Sequence, residues 1–178
     1  MFDTNKLSRV LSPMLQKGIV FRTSTGISVR SLLEDELQLS SDIVENQIAT
    51  VFINGQPVDN IDSAIVRENS EIALSGPMPG FVGATMRRGG YYSAMRSGIT
   101  HTDENLPIKT GQGLIKIKLY NTLIHLLGPI LFSRGFFVSV CDRDELLATE
   151  IGPLIATHPD KDLQDLVFIS RSRTHSNT

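Results

Sequence analysis

The sequence predicts an α+β fold, in which an N-terminal sheet packs on one helix and a C-terminal strand-helix-strand unit packs on that sheet. Three observations predict it. Short segments rich in β-branched residues alternate with turn residues before position 80, a leucine-rich segment interrupts them, and strong apolar patterns return after position 113. With 178 residues and 40% hydrophobic content, the chain can bury a substantial core.

The first predicted elements are a hairpin and a short helix. Residues 19–21 and 27–30 have the composition of strands, and residues 24–26 between them predict a turn. Ser31 and Glu34 have the spacing of a capping box, in which each side chain satisfies a free amide at a helix start. The residues after this cap supply an apolar helix face, formed by Leu32, Leu33 and Leu37.

A second hairpin is predicted at Asn54-Gly55. Residues 49–53 are β-branched and aromatic, and both turn residues tolerate the positive φ angles of a tight hairpin turn. Pro57 cannot donate a hydrogen bond to a sheet, so the returning strand is predicted at a sheet edge. Residues 71–74 predict the last short strand of the N-terminal half.

This order of elements resembles that of a known family of proteins. The segment 51–80, VFINGQPVDNIDSAIVRENSEIALSGPMPG, is similar to the second half of the small sulfur carriers of molybdopterin and thiamine biosynthesis. Those carriers belong to the ubiquitin-like β-grasp superfamily, so the resemblance implies a β-grasp sheet with one helix over about residues 18–80.

The chain departs from the carrier pattern at two points. Asn69-Ser70 stand where the carriers have a glycine-aspartate pair, although Asn also tolerates the left-handed conformation. A carrier's terminal glycine must end in a free carboxylate to be adenylated, whereas Gly80 here is followed by Phe81 and a long further segment. The resemblance therefore implies the fold of a carrier without its sulfur-transfer activity.

Residues 76–102 form what we call the Gly/Arg segment. It is rich in glycine and contains Arg87, Arg88 and Arg96 but no Asp or Glu. So many backbone breakers predict a long loop over residues 81–113, with one turn near residues 92–97. A loop of that length in a compact domain is usually functional or disordered.

The Gly/Arg segment contains the predicted ligand-binding residues. Arginine offers paired donors to phosphate and carboxylate, and glycine lets the backbone approach an anion closely. His101 is the candidate general acid or base. In the alternative interpretation, the arginines pair with acids elsewhere in the fold or in a neighbouring subunit, and the tyrosines pack against the sheet. The candidate ligand-binding set is Arg87, Arg88, Gly89, Gly90, Tyr91, Tyr92 and Arg96.

Residues 87–90 also resemble the tail at which ubiquitin-like precursors are cleaved. Gly90 lies well beyond the last predicted strand of the N-terminal half, and the strongly apolar residues 114–140 downstream belong to the predicted core. We therefore expect an uncleaved chain.

Regular structure is predicted to resume at residue 114. Residues 114–120 alternate between apolar and polar side chains, as in a half-buried strand. Residues 123–131 predict a largely buried helix that is kinked or restarted at Gly128-Pro129. A strand is predicted over residues 136–140, and the remaining residues 142–150 and 162–169 are predicted to supply a short helix and a final strand.

Few other residues suggest chemistry. Cys141 is the sole cysteine, which excludes an intramolecular disulfide and a Cys-rich zinc site, and we interpret it as a buried apolar residue. His125 is interpreted as a core histidine. The acidic group of residues 142–145 is interpreted as the start of a helix rather than a calcium loop.

No metal site is predicted, because His101, Asp103 and Glu104 have no second cluster to complete one. The cofactor stays unassigned. Net charge is −2, which disfavours nucleic-acid binding. Neither the N-terminus nor the apolar residues 123–137 have the pattern of a signal peptide or a membrane span, so a cytoplasmic, soluble protein without membrane contact is expected.

The sequence thus predicts three regions that form one compact domain: a β-grasp module over residues 1–80, the Gly/Arg-rich loop over 81–113 and an α/β unit over 114–178. The predicted function is that of a protein-interaction module. The alternative is an enzyme or binding protein for a small anionic ligand, phosphate- or carboxylate-bearing, held by the Gly/Arg segment. Whether the protein is an enzyme stays open. The edge strand and exposed apolar residues, Met78 and Phe81, are also compatible with a homo-oligomer.

Overall fold

The computed structural model describes residues 4–103, 107–159 and 165–169. Within these residues an eight-stranded mixed sheet is combined with five α-helices and a separate two-stranded sheet, which confirms the predicted α+β class. The α-helices are α1 Thr4–Lys17, α2 Val29–Ser31, α3 Gly80–Met86, α4 Leu123–Arg134 and α5 Val140–Leu147. Four further helical turns occur: Leu32–Glu36 and Ile43–Gln47 are π-helical, and Ser93–Ile99 and Gly152–Leu154 are 3-10 helical.

The strands are short except in the middle of the large sheet. In chain order they are β1 Ile19–Thr25, β2 Ile27–Ser28, β3 Thr50–Ile53, β4 Gln56–Pro57, β5 Ile65–Val66, β6 Glu71–Ser75, β7 Gly111–Tyr120, β8 Phe136–Val138, β9 Ile155–Pro159 and β10 Asp165–Ile169. The large sheet has the order β4-β3-β6-β7-β1-β8-β10-β9. Its β6 and β7 are parallel and its other described pairs are antiparallel. Because β7 lies between β1 and β6, strands from both halves of the chain share one sheet.

The predicted first hairpin is wrong. β1 pairs with β7, from Ile19 opposite Ile117 to Thr25 opposite Gly111, while β2 pairs with β5 in the small sheet. Gly26, with a φ of 76°, turns the chain between β1 and β2 out of the large sheet. A distant partner, β7, therefore replaces the local one.

The helix after β2 begins three residues earlier than predicted. Ser28, not Ser31, is its N-cap, and the Ser28 side chain accepts a hydrogen bond of 3.1 Å from the Ser31 amide. The backbone thus becomes helical at Val29, which ends the strand after two residues. The predicted apolar face is confirmed, because its three leucines are buried: Leu32, Leu33 and Leu37.

The second hairpin is confirmed. Asn54 and Gly55 have φ angles of 50° and 80°, and Ile53 pairs with Gln56 across this two-residue turn. The Asn54 side chain also accepts a hydrogen bond of 2.8 Å from the Glu71 amide, so the turn is fastened to β6. Pro57 lies on β4 at an edge of the sheet, as predicted.

The core lies between the large sheet and the helices, and it includes the buried leucines of the helix after β2; helices α1 and α4 contact each other and β7. Helix α1 was not expected, because charged and polar residues are mixed with the apolar residues of the N-terminus and obscure their helical spacing. Leu11 and Leu15, four residues apart, are buried. On β7 the predicted alternation is confirmed, since Ile115, Ile117 and Leu119 are buried.

The C-terminal elements differ from prediction at their ends. Helix α4 runs without a break through Pro129 to Arg134, so of the two predicted possibilities at Gly128-Pro129, a kink or a restart, the restart does not occur. Strand β8 stops at Val138 because Ser139 caps α5, accepting a hydrogen bond of 3.1 Å from the Asp142 amide. The final strand is confirmed as β10. The first residues of that predicted range, 162–164, lie outside the described residues.

Candidate functional site

About half of the Gly/Arg segment is helical, so the prediction of one long loop is wrong. Helix α3 was not anticipated, whereas the 3-10 helix Ser93–Ile99 confirms the turn predicted near residues 92–97. Gly83 explains part of the error. A Cβ atom at this position would lie 2.2 Å from the Met78 carbonyl oxygen, so glycine here permits close packing rather than an irregular loop.

Arg96 holds the Gly/Arg segment in place. Its side chain is 3% exposed, and its Nη2 and Nη1 atoms lie 2.6 and 3.2 Å from the two carboxylate oxygens of Asp59. Its Nε donates to the Thr85 carbonyl at 2.7 Å, and Nη1 also donates to the Thr100 hydroxyl at 3.0 Å. The guanidinium therefore ties α3, the 3-10 helix and the residues after β4 together.

Arg88 is also engaged within the fold. Its Nη2 donates to the Val44 carbonyl at 2.7 Å and lies 3.4 Å from both the Ile48 carbonyl and a Glu45 carboxylate oxygen. The cation thus sits at the C-terminal end of the π-helical turn Ile43–Gln47, where free carbonyls favour positive charge. Both Arg88 and Arg96 pair with acids elsewhere in the fold, as the alternative interpretation expects.

Arg87 differs from these two arginines. Its guanidinium is exposed and has no hydrogen-bond or ion-pair partner among the residues that the structure describes. It borders a cavity of about 450 Å³. The cavity is lined by Glu45, Asn46, Ile48, Ala49, Asp59, Pro77, Arg87, Arg88 and Gly89.

The two acids of this cavity are already paired. Asp59 accepts from Arg96 and, at 3.2 Å, from the Gly89 amide. Glu45 lies 2.8 Å from Arg30, and this hydrogen bond is the main cause that lowers the pKa of Glu45. Both carboxylates therefore already have hydrogen-bond partners within the fold.

Beyond the cavity, apolar side chains of α3 and the 3-10 region are exposed. The Phe81 and Tyr92 ring centroids are 5.5 Å apart, and those of Tyr91 and Tyr92 are 5.1 Å apart, both edge to face. Tyr91 is 92% exposed and Met95 is 68% exposed, so these tyrosines do not pack against the sheet as a pair. We call this surface the aromatic patch; it comprises Phe81, Val82, Tyr91, Tyr92 and Met95.

His101 lies at the end of the Gly/Arg segment and is not among the residues that line the Arg87 cavity. Its amide donates to the Pro57 carbonyl at 2.8 Å, and its Nδ1 lies 3.3 Å from the Gln56 side-chain oxygen. Its Nε2 is buried, 3.7 Å from an Asp103 carboxylate oxygen. These contacts attach the segment to β4, and a catalytic role for His101 stays a prediction.

Two predicted core residues are exposed. On α4, Leu123, Ile124 and Leu127 face the core, which leaves His125 on the outer face. Cys141 lies in the first turn of α5 and is exposed as well. Both interpretations as buried residues are therefore wrong.

The acidic group at residues 142–145 begins in the first turn of α5, as interpreted. The Ser139 hydroxyl donates to a carboxylate oxygen of Asp142 at 2.7 Å, and this bond is the main cause that lowers the Asp142 pKa. Within the described residues no group of three or more His, Cys, Asp or Glu side chains is placed to hold a metal ion. Glu104 lies outside those residues.

Comparison with known proteins finds no matching family model, no matching curated protein and no matching solved structure. In the part of the chain that the structure describes, no helix combines the length and the apolar character needed to cross a bilayer. The residues of the aromatic patch and of the Arg87 cavity are therefore the features from which a function can be argued.

Proposed function

We propose that this protein is an interaction module whose docking surface for a protein partner is the aromatic patch. One observation carries the proposal: Phe81, Tyr91 and Tyr92 contact each other through their rings while remaining exposed. Exposed apolar side chains that occur singly are normal, but a contiguous group of them marks an interaction site. Aromatic residues and methionine are also enriched at protein interfaces.

The energetics favour a partner that covers these rings. Removing a Phe or Met side chain from water contributes about 1.5–3 kcal/mol, and tyrosine can keep its hydroxyl hydrated or bonded while its ring is buried. Tyr91 is the most exposed side chain of the patch, so a partner that covers it removes the largest fraction of its surface from water. We expect it to be the main energetic contributor.

The patch is held in a defined conformation before any partner arrives. Arg96 fixes both helical pieces that carry the patch, through Thr85 on one side and Thr100 on the other. A binding surface that is ordered in advance loses less conformational entropy on association. The buried Arg96 pair thus supports a binding role for the exposed side chains above it.

The scaffold that we propose is a permuted β-grasp. A β-grasp sheet has its first and last strands side by side and parallel at the centre, with a helix between the second and third strands. Here β6 and β7 are the parallel pair, β1 flanks β7, and the helix that begins at Val29 follows β1. In this proposal β7 takes the position of the first strand, although it comes late in the chain.

A specific observation also favours the alternative, a small anionic ligand at the Arg87 cavity. Arg87 offers a guanidinium that has no partner among the described residues, beside a space large enough for a metabolite. The engagement of Arg88 and Arg96 by acids weakens this reading. A thermal-shift screen with phosphorylated and carboxylated metabolites tests it, because a ligand at about a hundred times its Kd adds roughly 2.7 kcal/mol. No shift with any compound would remove its support.

Affinity capture tests the interaction module. The wild-type chain and a Tyr91→Ser, Met95→Ser double variant serve as baits in cells that express the protein natively, and a Leu126→Ser variant is the control, since Leu126 is an exposed apolar residue on α4. We expect a partner that the wild type and the control recover and the double variant loses. Recovery by all three baits, or by none, contradicts the proposal.

A further inference from the structure

Arg87 connects the aromatic patch to the neighbouring cavity. Gly89 lines the cavity and Tyr91 belongs to the patch, and two residues of chain span at most about 7 Å. Between them the Gly90 amide donates to the Arg87 carbonyl at 3.2 Å, which closes a tight turn. The patch residue Tyr91 therefore directly follows the backbone turn that begins at Arg87.

The charged side chains around this turn differ in whether they already have a partner within the fold. Arg88 is held by Val44 and Glu45, and Asp59 is held by Arg96 and the Gly89 amide. Glu45 is held by Arg30 and Arg88, whereas Arg87 has no such partner among the described residues. Since the Gly/Arg segment contains no Asp or Glu, no acid of its own competes for that guanidinium.

A docked partner changes the surroundings of this cation. Burying an arginine without an acceptor carries a large desolvation penalty, and a carboxylate that forms two parallel hydrogen bonds with it offsets that penalty. A basic group on the partner would add repulsion instead. The same surface thus discriminates between acidic and basic partners of equal apolar character.

Resting on the proposed function, we propose that the partner of the aromatic patch is an acidic apolar protein segment, and that one of its carboxylates binds Arg87. Apolar side chains of this segment cover Tyr91 and Met95. The carboxylate belongs to an Asp or Glu side chain or to a chain terminus. Arg87 is the residue that determines charge specificity, and the rings supply most of the affinity.

A phage-displayed random peptide library, selected on the immobilised full chain, tests the inference. We expect selected peptides to combine Asp or Glu with neighbouring aromatic or aliphatic residues. Their synthetic versions should bind about tenfold more weakly to Arg87→Gln, which corresponds to about 1.4 kcal/mol, and should lose binding to Tyr91→Ser. Arg134→Gln is the matched control, because Arg134 is exposed on α4, away from the patch.

The outcomes separate the inference from the proposed function. Peptides without acids, or equal binding to wild type and Arg87→Gln while Tyr91→Ser still abolishes binding, overturn the acidic partner and leave the interaction module intact. A library that gives no binder dependent on Tyr91 counts against both. Binding dependent on Tyr91 to vesicles of phosphatidylcholine and phosphatidylserine, without peptide binding, assigns the patch to a membrane surface and also overturns both.

Discussion

Removal of the Arg96 side chain is the sharpest test of how the Gly/Arg segment is held. Arg96→Met keeps much of the aliphatic volume and deletes the guanidinium. The change removes both contacts to Asp59, of 2.6 and 3.2 Å, and the bonds to Thr85 and Thr100. It leaves Asp59 with a hydrogen bond from the Gly89 amide alone.

The size of the effect follows from burial. Breaking a buried ion pair by removing one partner typically costs about 3–5 kcal/mol, because the other charge is left uncompensated. The Arg96 side chain is 3% exposed, whereas that of Asp59 is 33% exposed and can be partly hydrated after the change. We therefore expect a loss near the lower limit, about 3 kcal/mol. For a chain of this size that corresponds to a fall in Tm of roughly 6–12 °C.

Urea unfolding of four proteins measures the interaction: wild type, Arg96→Met, Asp59→Asn and the double variant. We expect a coupling free energy of about 1–2 kcal/mol between the two sites. Arg87→Met is the matched control, since an exposed, unpaired arginine should change stability by less than about 0.5 kcal/mol. If the segment opens locally instead of unfolding the whole chain, trypsin should cleave at Arg87 and Arg88 faster in Arg96→Met. Unchanged stability, together with unchanged cleavage, would refute the reasoning.

Three further predictions concern the scaffold. Asn54→Ala should destabilise by about 1–2 kcal/mol in urea unfolding, because it strains a left-handed residue and frees the Glu71 amide; a cost no larger than that of Asn54→Gly argues against the strain. Leu15→Ala should cost about 2–5 kcal/mol if α1 is integral to the core, and a cost below about 1 kcal/mol contradicts that. Ser139→Ala should cost about 1 kcal/mol or more at pH 7. Because Ser139 lowers the folded pKa of Asp142 below its unfolded value, that part of the stability is present above about pH 5 and is lost as pH falls through the folded pKa. The difference between wild type and Ser139→Ala should therefore shrink below about pH 4, and a constant difference contradicts the linkage.

Local signals predicted local structure well. Asn54-Gly55 forms the predicted turn because its requirement, two residues at positive φ, is met by the turn residues themselves. The alternation on β7 was also readable, because one buried face imposes a period of two. The pairing of β1 could not be predicted from the sequence, because its partner β7 begins at Gly111, and no residue near β1 indicates a contact with so distant a segment.

The sequence predicted the position of the candidate site but not which acids pair with its arginines. The absence of acids between residues 76 and 102 drew attention to the arginines, yet the acids that hold them lie outside that range. Asp59 and Glu45 come from the turn regions around β4 and β3, and nothing in their local sequence marks them as partners. Met95 was missed as well, although its spacing of three residues from Tyr92 places both on one side of a 3-10 helix.

The 3-10 helix Ser93–Ile99 has an arrangement that is unfavourable for stability alone. Burial of an apolar residue such as Met95 stabilises the fold, whereas burial of an arginine removes its hydration and is costly. Here, however, Arg96 is buried and Met95 is exposed. Arg96 has non-helical φ and ψ angles of −115° and 17°, so it lies at a kink between two short 3-10 turns, with its own side chain buried and that of Met95 exposed. The contacts to Asp59, Thr85 and Thr100 offset the burial of the charge, but they do not offset the exposure of Met95. Contact with a partner would, so Met95→Ser should weaken the binding of the selected peptides while it changes the free energy of urea unfolding by less than about 0.5 kcal/mol, and unchanged peptide affinity would contradict this argument.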